Sequence, residues 1–209
     1  MFSLQQLLGK GDKFFDLLEA SAEEARSSVH SLVSFLKSPC AAPTMEEFVL
    51  TRRKEKRIAE QISEQLVRTF VTGLEREEIE ALSNALYKIP KTVEKFVERF
   101  TLATDRLQGV DFSSQAEMVE KTAEILVDMV KHLRKIPPLE RIKELNDRLQ
   151  YLEGEADKVM LQLLREVYAG KFDPIQALIV KDLYELLEKV IDRCRDAGNV
   201  VTLIVLKNS

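Results

Sequence analysis

Apolar residues recur at spacings of three and four along most of the chain. Phe14, Leu17, Leu18, Ala22, Ala25, Val29, Leu32, Val33 and Leu36 form the first such stripe. That period keeps them on one face of a helix, so the pattern predicts a helix from about Asp12 to Lys37. The segment from Ser38 to Thr44 contains Pro39 and Pro43 and reads as a loop. Thr44 and Glu47 then have the spacing of a capping box, which opens a second helix running to about Thr72. Gly73 stands where a helix C-cap favours glycine. A third helix is expected from about Arg76 to Gln108, kinked at Pro90, because proline removes one rung of the backbone ladder. Residues 109–112 break the pattern, and Ser113 or Ser114 caps a fourth helix that ends before Pro137 and Pro138. The fifth runs from about Leu139 to Ala169 and stops at Gly170. Pro174 opens the sixth, which continues almost to the last residue.

These six stretches fall into two runs of three. Sliding the chain by 101 residues superposes the runs without a gap: Ala22 falls on Ala123, Val29 on Val130, Ile79 on Val180, Leu82 on Leu183 and Leu86 on Leu187. The break at Gly73 falls on Pro174. A gapless register through three helices and their break predicts a tandem repeat, with residues 1–109 as the first three-helix unit and 110–209 as the second, in one compact domain. The expected fold class is therefore all-α, a bundle of six helices.

Composition narrows the function more than the fold. The chain has 209 residues, of which 45% are hydrophobic and 32% charged. That balance suits long amphipathic helices, and 7 Gly with 6 Pro provide little of the turn chemistry a sandwich or barrel needs. The net charge of -4 gives no basic footprint for nucleic acid. Cys40 and Cys194 form no spaced motif and fit a reduced, cytoplasmic protein. The N-terminal residues do not read as a signal peptide. No stretch approaches the roughly 18 apolar residues of a membrane span, so membrane association is expected only at the periphery, through a partner. The two histidines, His30 and His132, follow no Glu at the spacing of a di-iron bundle and allow no nucleophile–base triad. Gly9-Lys10-Gly11 is too short for a phosphate loop. His132 is expected near a helix end and exposed. The sequence thus carries no signature of an enzyme, and a metal-dependent hydrolase would lack both nucleophile and base.

One constellation stands out. The fifth helix carries Glu153 and Asp157 one turn apart, at the shoulder of its apolar face. The sixth carries Glu185, Glu188, Asp192, Asp196 and Asn199 in a stripe opposite Leu183, Leu187, Val190 and Cys194. Like charges four residues apart repel on a helix, and a hard cation would relieve them. Mg²⁺, Ca²⁺, Mn²⁺ or iron would suit such oxygen ligands. A stripe facing away from the core is also what an ordinary solvated face looks like. Under the 101-residue shift the acids meet bases or neutral groups: Glu153 falls on Arg52, Asp157 on Lys56, Glu188 on Tyr87, Asp192 on Lys91 and Asp196 on Lys95.

The stretch from Leu152 to Ser209 contains LExEAD, then DPI, then LYExLExxxDRCxDxxNV and a closing LKN. In these features it resembles the PhoU-like phosphate transport regulators that accompany Pit-type transporters. FVTGLEREEIEAL, from Phe70, resembles the same family's turn into its third helix. The resemblance implies two three-helix repeats, no catalytic chemistry, and surface metal clusters held by E/DxxxD motifs. Glu153 with Asp157 matches one motif and Glu188 with Asp192 the other, Asp196 following one turn on. The first repeat departs from the family pattern, with Tyr87, Lys88 and Lys91 where aspartates are usual. The expectation is an accessory protein of inorganic phosphate transport that docks on a Pit-type transporter at the inner face of the membrane. A divalent or trivalent metal would sit at Glu153, Asp157, Glu185, Glu188, Asp192 and Asp196. The rival expectation is a metal-free helical interaction module. Long two-sided helices also leave room for a homodimer.

Overall fold

The computed structural model describes residues 4–37 and 44–209, and in the first helix the side chains from Lys13 onward. The loop expected over 38–43, with Cys40, and residues 1–3 lie outside the described residues. Among the described residues there are six α-helices and no strand: α1 (Leu4–Lys37), α2 (Met45–Arg68), α3 (Arg76–Leu102), α4 (Ser113–His132), α5 (Leu139–Glu166) and α6 (Pro174–Asn208).

The element boundaries show where local chemistry overrode the sequence reading. Helix α1 begins at Leu4 rather than Asp12, so Gly9 and Gly11 lower helix propensity without ending the helix. The capping box is present, with Thr44 N donating to Glu47 Oε2 at 2.5 Å. Helix α2 stops at Arg68, short of Thr72, because the Arg76 guanidinium bonds its last carbonyls, those of Leu66 and Thr69. Gly73 is therefore not a helix C-cap. A second capping box, unnoticed in the sequence, opens α3, where Glu75 N donates to Glu78 Oε2. Helix α3 runs through Pro90 in one piece and ends at Leu102, before a short 3₁₀ turn at Thr104–Arg106. Neither serine caps α4: the Asp111 carboxylate accepts from Ser113 N at 2.9 Å. Helix α5 loosens into a π turn over Val167–Lys171. Gly170 closes that turn at φ 86, a left-handed conformation that favours glycine. Asp173 then caps α6, accepting from Ile175 N and Gln176 N at 3.0 and 3.1 Å.

Four helices make the centre. Helix α1 packs on α3 and α4, and α6 packs on the same two, closing a ring of α1, α3, α6 and α4. Helix α2 covers the α1–α3 edge and α5 covers the α4–α6 edge. This contact pattern is unchanged when α1–α3 are exchanged for α4–α6. The core contains Leu32, Ile79, Leu82, Leu86, Leu187 and Val190, all fully buried. Burying each such side chain contributes roughly 1.5–3 kcal/mol. A run of aromatic contacts, from Phe35 through Phe100 and Phe112 to Tyr184, joins the two halves with ring centroids 5.0–5.9 Å apart. Lys207 near the end of α6 reaches Glu75 at the start of α3, while Arg99 near the end of α3 pairs with Asp182 near the start of α6. The two helices therefore run antiparallel, with a groove between them.

Candidate functional site along α3, α5 and α6

The acidic residues do not lie on a free solvated face. Because α6 has α3 on one side and α5 on the other, its polar stripe is partly covered, and Glu188 and Asp192 are half-buried. This corrects the expectation that the stripe points away from the protein interior. Burial, with Asp192, Asp157 and Glu153 nearby, raises the Glu188 carboxyl from 4.5 to about 7. Asp192 is also raised, chiefly by burial, with Arg195 opposing.

A cation already stands among these acids, and it belongs to the chain. The Arg195 guanidinium donates to Glu153 Oε1 at 2.9 Å across the α5–α6 contact and to Asp196 Oδ1 at 3.1 Å. Its Nη2 lies 3.4 Å from Asp192 Oδ1. Asp196 also meets Arg193 at 3.4 Å. Glu185 is turned to Lys181, one helical turn back. Asp157 is exposed, and neither it nor Glu188 has an ion pair among the described residues. Asn199 accepts from Gln150 Nε2 at 3.2 Å. Among the described residues, no three His, Cys, Asp or Glu side chains are gathered as a metal's ligands would be. The expected metal set therefore does not fit as it stands: Glu153, Asp192 and Asp196 share an arginine, and Glu185 faces elsewhere.

The basic residues of the first half make sense beside this. Arg52 on α2 pairs with Glu94 on α3. Under the same 101-residue shift, Arg52 corresponds to Glu153 and Glu94 to Arg195. One interhelical ion pair thus occurs in both halves with its charges exchanged. Sequence reasoning saw that Glu153 meets Arg52 but missed Arg195. Applying the shift to Arg195 lands on Glu94, which is the signal that would have revealed the pair.

Between α3 and α6 the groove has a volume of about 1070 Å³. One wall carries Lys88, Lys91 and Lys95 from α3, and the other carries Asp182, Glu185, Glu188 and Asp192 from α6. Among the described residues, no helix is long and apolar enough to cross a membrane. His132 is half-buried at the end of α4, not exposed, with Nδ1 2.7 Å from the Asp128 carbonyl oxygen. Cys194 is fully buried, and burial pushes its thiol up to about 12, so it is not a reactive group.

The ring of four helices with two flanking helices is a fold shared with solved PhoU-like structures. A PhoU-like protein from Shewanella oneidensis MR-1 superposes with a TM-score of 0.76 at 15% identity, covering 93% of this chain and 99% of that one. A second structure from that organism, described as a PhoU-like phosphate regulatory protein, gives 0.73 at 16% identity with the same coverage. In sequence, UPF0111 protein YkaA of Bacillus subtilis is 24% identical over 207 residues, 96% of this chain and 98% of that protein. A protein of Rhizobium meliloti named as a Pit accessory protein is 22% identical over 208 residues, 98% of this chain and 97% of that protein. No family model matches the chain. These likenesses extend over nearly the whole chain, beyond the stretch after about residue 140 in which the sequence motifs are strongest.

Proposed function

We propose that this protein is an accessory regulator of inorganic phosphate transport that docks on a Pit-type transporter as a peripheral component on its cytoplasmic side. The observation that carries this reading is the end-to-end likeness to a protein named as a Pit accessory, in a fold shared with PhoU-like phosphate regulatory proteins. The geometry agrees with a protein that works by contact. Its polar side chains form ion pairs between helices and line a long open groove. Regulation then consists of binding the transporter better in one of its states than in the other.

The metal-linked form of this reading has less support. A cation at the α5–α6 cluster would have to displace Arg195, which already offsets three carboxylates. The arrangement favours a clasp that needs no ion, so we assign no metal-dependent step. Co-purification tests the docking. A Pit-type transporter expressed with the tagged protein and solubilised in mild detergent should be retained in stoichiometric amount. Recovery of the transporter only at the level of an untagged control, where known peripheral subunits are recovered, would reject it.

A further inference from the structure

Among the described residues, the three lysines of the α3 wall have no ion-pair partners. In the second half, Arg195 forks to Asp192 and Asp196, at positions i−3 and i+1 on its own helix. The first half inverts this: Glu94 stands at the centre, with Lys91 and Lys95 at the same two positions. Glu94, however, is a single buried carboxylate already taken by Arg52. No carboxylate lies within 4.0 Å of Lys91, Lys95 or the neighbouring Lys88 among the described residues, and all three are exposed. Lys189, opposite them on α6, is likewise exposed and unpaired. The acids of the far wall are largely satisfied within the chain. Asp182 pairs with Arg99, Glu185 with Lys181 and Asp192 with Arg195. Glu188, raised to about 7 chiefly by burial, is a weak competitor for the lysines near neutral pH. Glu98, on α3 and lining the same groove, is also unpaired among the described residues and offsets one of the four free lysines, so the groove carries a modest surplus of free positive charge that the net charge of -4 conceals.

We infer that the Lys88–Lys91–Lys95 ladder is a docking surface for an acidic helical segment of a protein partner, laid along the α3–α6 groove. Positions i, i+3 and i+7 lie on one face of α3 and span about 10 Å along its axis. A helix with carboxylates at the same spacing meets each lysine in turn. A single phosphate or carboxylate would engage one or two of these bases and leave most of a groove of about 1070 Å³ empty. The inference rests on the docking reading in one respect, that the segment belongs to the transporter. Short cytoplasmic loops next to membrane spans are rich in Lys and Arg, so an acidic helix of this kind belongs on a longer loop.

Three probes separate the outcomes: a Pit-type transporter in phosphatidylcholine nanodiscs, inorganic polyphosphate, and transporter-free phosphatidylglycerol vesicles. The wild type should bind the transporter, and more weakly as salt rises. The variant Lys88→Glu, Lys91→Glu, Lys95→Glu should lose at least tenfold in affinity while keeping its helical circular dichroism. Exchanging Glu for Lys in the transporter's acidic segment should restore it. A triple variant that binds the transporter like wild type would overturn this surface while leaving the docking reading intact. Binding to polyphosphate or vesicles alone, lost in the triple variant, would mean the ladder serves a non-protein anion and would overturn the inference. Failure of the wild type to bind the transporter at all would overturn the docking reading and this inference together.

Discussion

At the scale of residues, two charged groups set the chemistry. Glu55 on α2 is fully buried against α1, accepts from Ser21 Oγ at 2.6 Å, and leaves its second carboxylate oxygen unbonded. Burial raises it from 4.5 to about 8, so at pH 7 it is largely protonated in the folded state. A raised carboxylate binds its proton more tightly folded than unfolded. Its contribution to stability is therefore complete below 4.5 and is lost as pH rises towards 8. Glu188 acts in the same direction up to about 7. Denaturant melts should show the protein less stable at pH 8.5 than at pH 5. The variant Glu55→Gln, which keeps an acceptor for Ser21, should gain about 1–3 kcal/mol at pH 8.5 and flatten the profile. A wild type that grows more stable across this range would contradict the assignment. Arg195 is the other group. Half-buried among three acids, it should cost about 1–2 kcal/mol when replaced in Arg195→Met. Millimolar Mn²⁺ should raise the melting temperature of that variant but not of the wild type. A wild-type rise of several degrees with Mn²⁺ would revive the metal reading.

Between helices, the α5–α6 contact is set by Gly198. A Cβ there would stand 2.4 Å from Leu149 Cδ1 and 3.4 Å from Met129 Sδ, so a side chain at this position must push the buried Leu149 methyl aside. Gly198→Ala gains about 1 kcal/mol of helix propensity, but the overpacking costs about 1–3 kcal/mol. A net loss near 1 kcal/mol is expected from thermal melts. Gly198→Leu should lose about 3 kcal/mol by the same argument, whereas the same change at Gly154, which has open space, should be mild. Equal effects at the two sites would refute the close packing. The periodicity of three and four placed all six helices, because amphipathic stripes record which face is buried. The helix ends were less legible. Arg76 stops α2 by bonding the Leu66 carbonyl ten residues back, and Asp111 rather than a serine caps α4. Such caps depend on three-dimensional reach, not on a local motif. The acidic motif could be read as composition, but its neutralisation could not, since Arg195 joins Glu153 only when α5 and α6 pack.

For the whole molecule, the two halves share one packing plan and opposite electrostatics. The plan follows from apolar positions repeated at the same register. The charge difference follows from exchanging Glu153 and Arg195 for Arg52 and Glu94. The proposed two-repeat description, with its boundary near residue 109, gains from this exchange, because a compensated reversal preserves the contact while freeing lysines for another use. A protein built this way presents acids largely paired within the chain on the α6 side of the α3–α6 groove and unsatisfied lysines on the α3 side. The central claim is that it modulates phosphate transport. The most direct measurement is initial-rate uptake of radiolabelled phosphate in cells carrying the Pit-type transporter at equal abundance, with the accessory gene deleted, restored, or restored as the triple-lysine variant. The account predicts that deletion changes uptake severalfold, the wild type restores it, and the variant does not. Identical uptake in all three strains would contradict it.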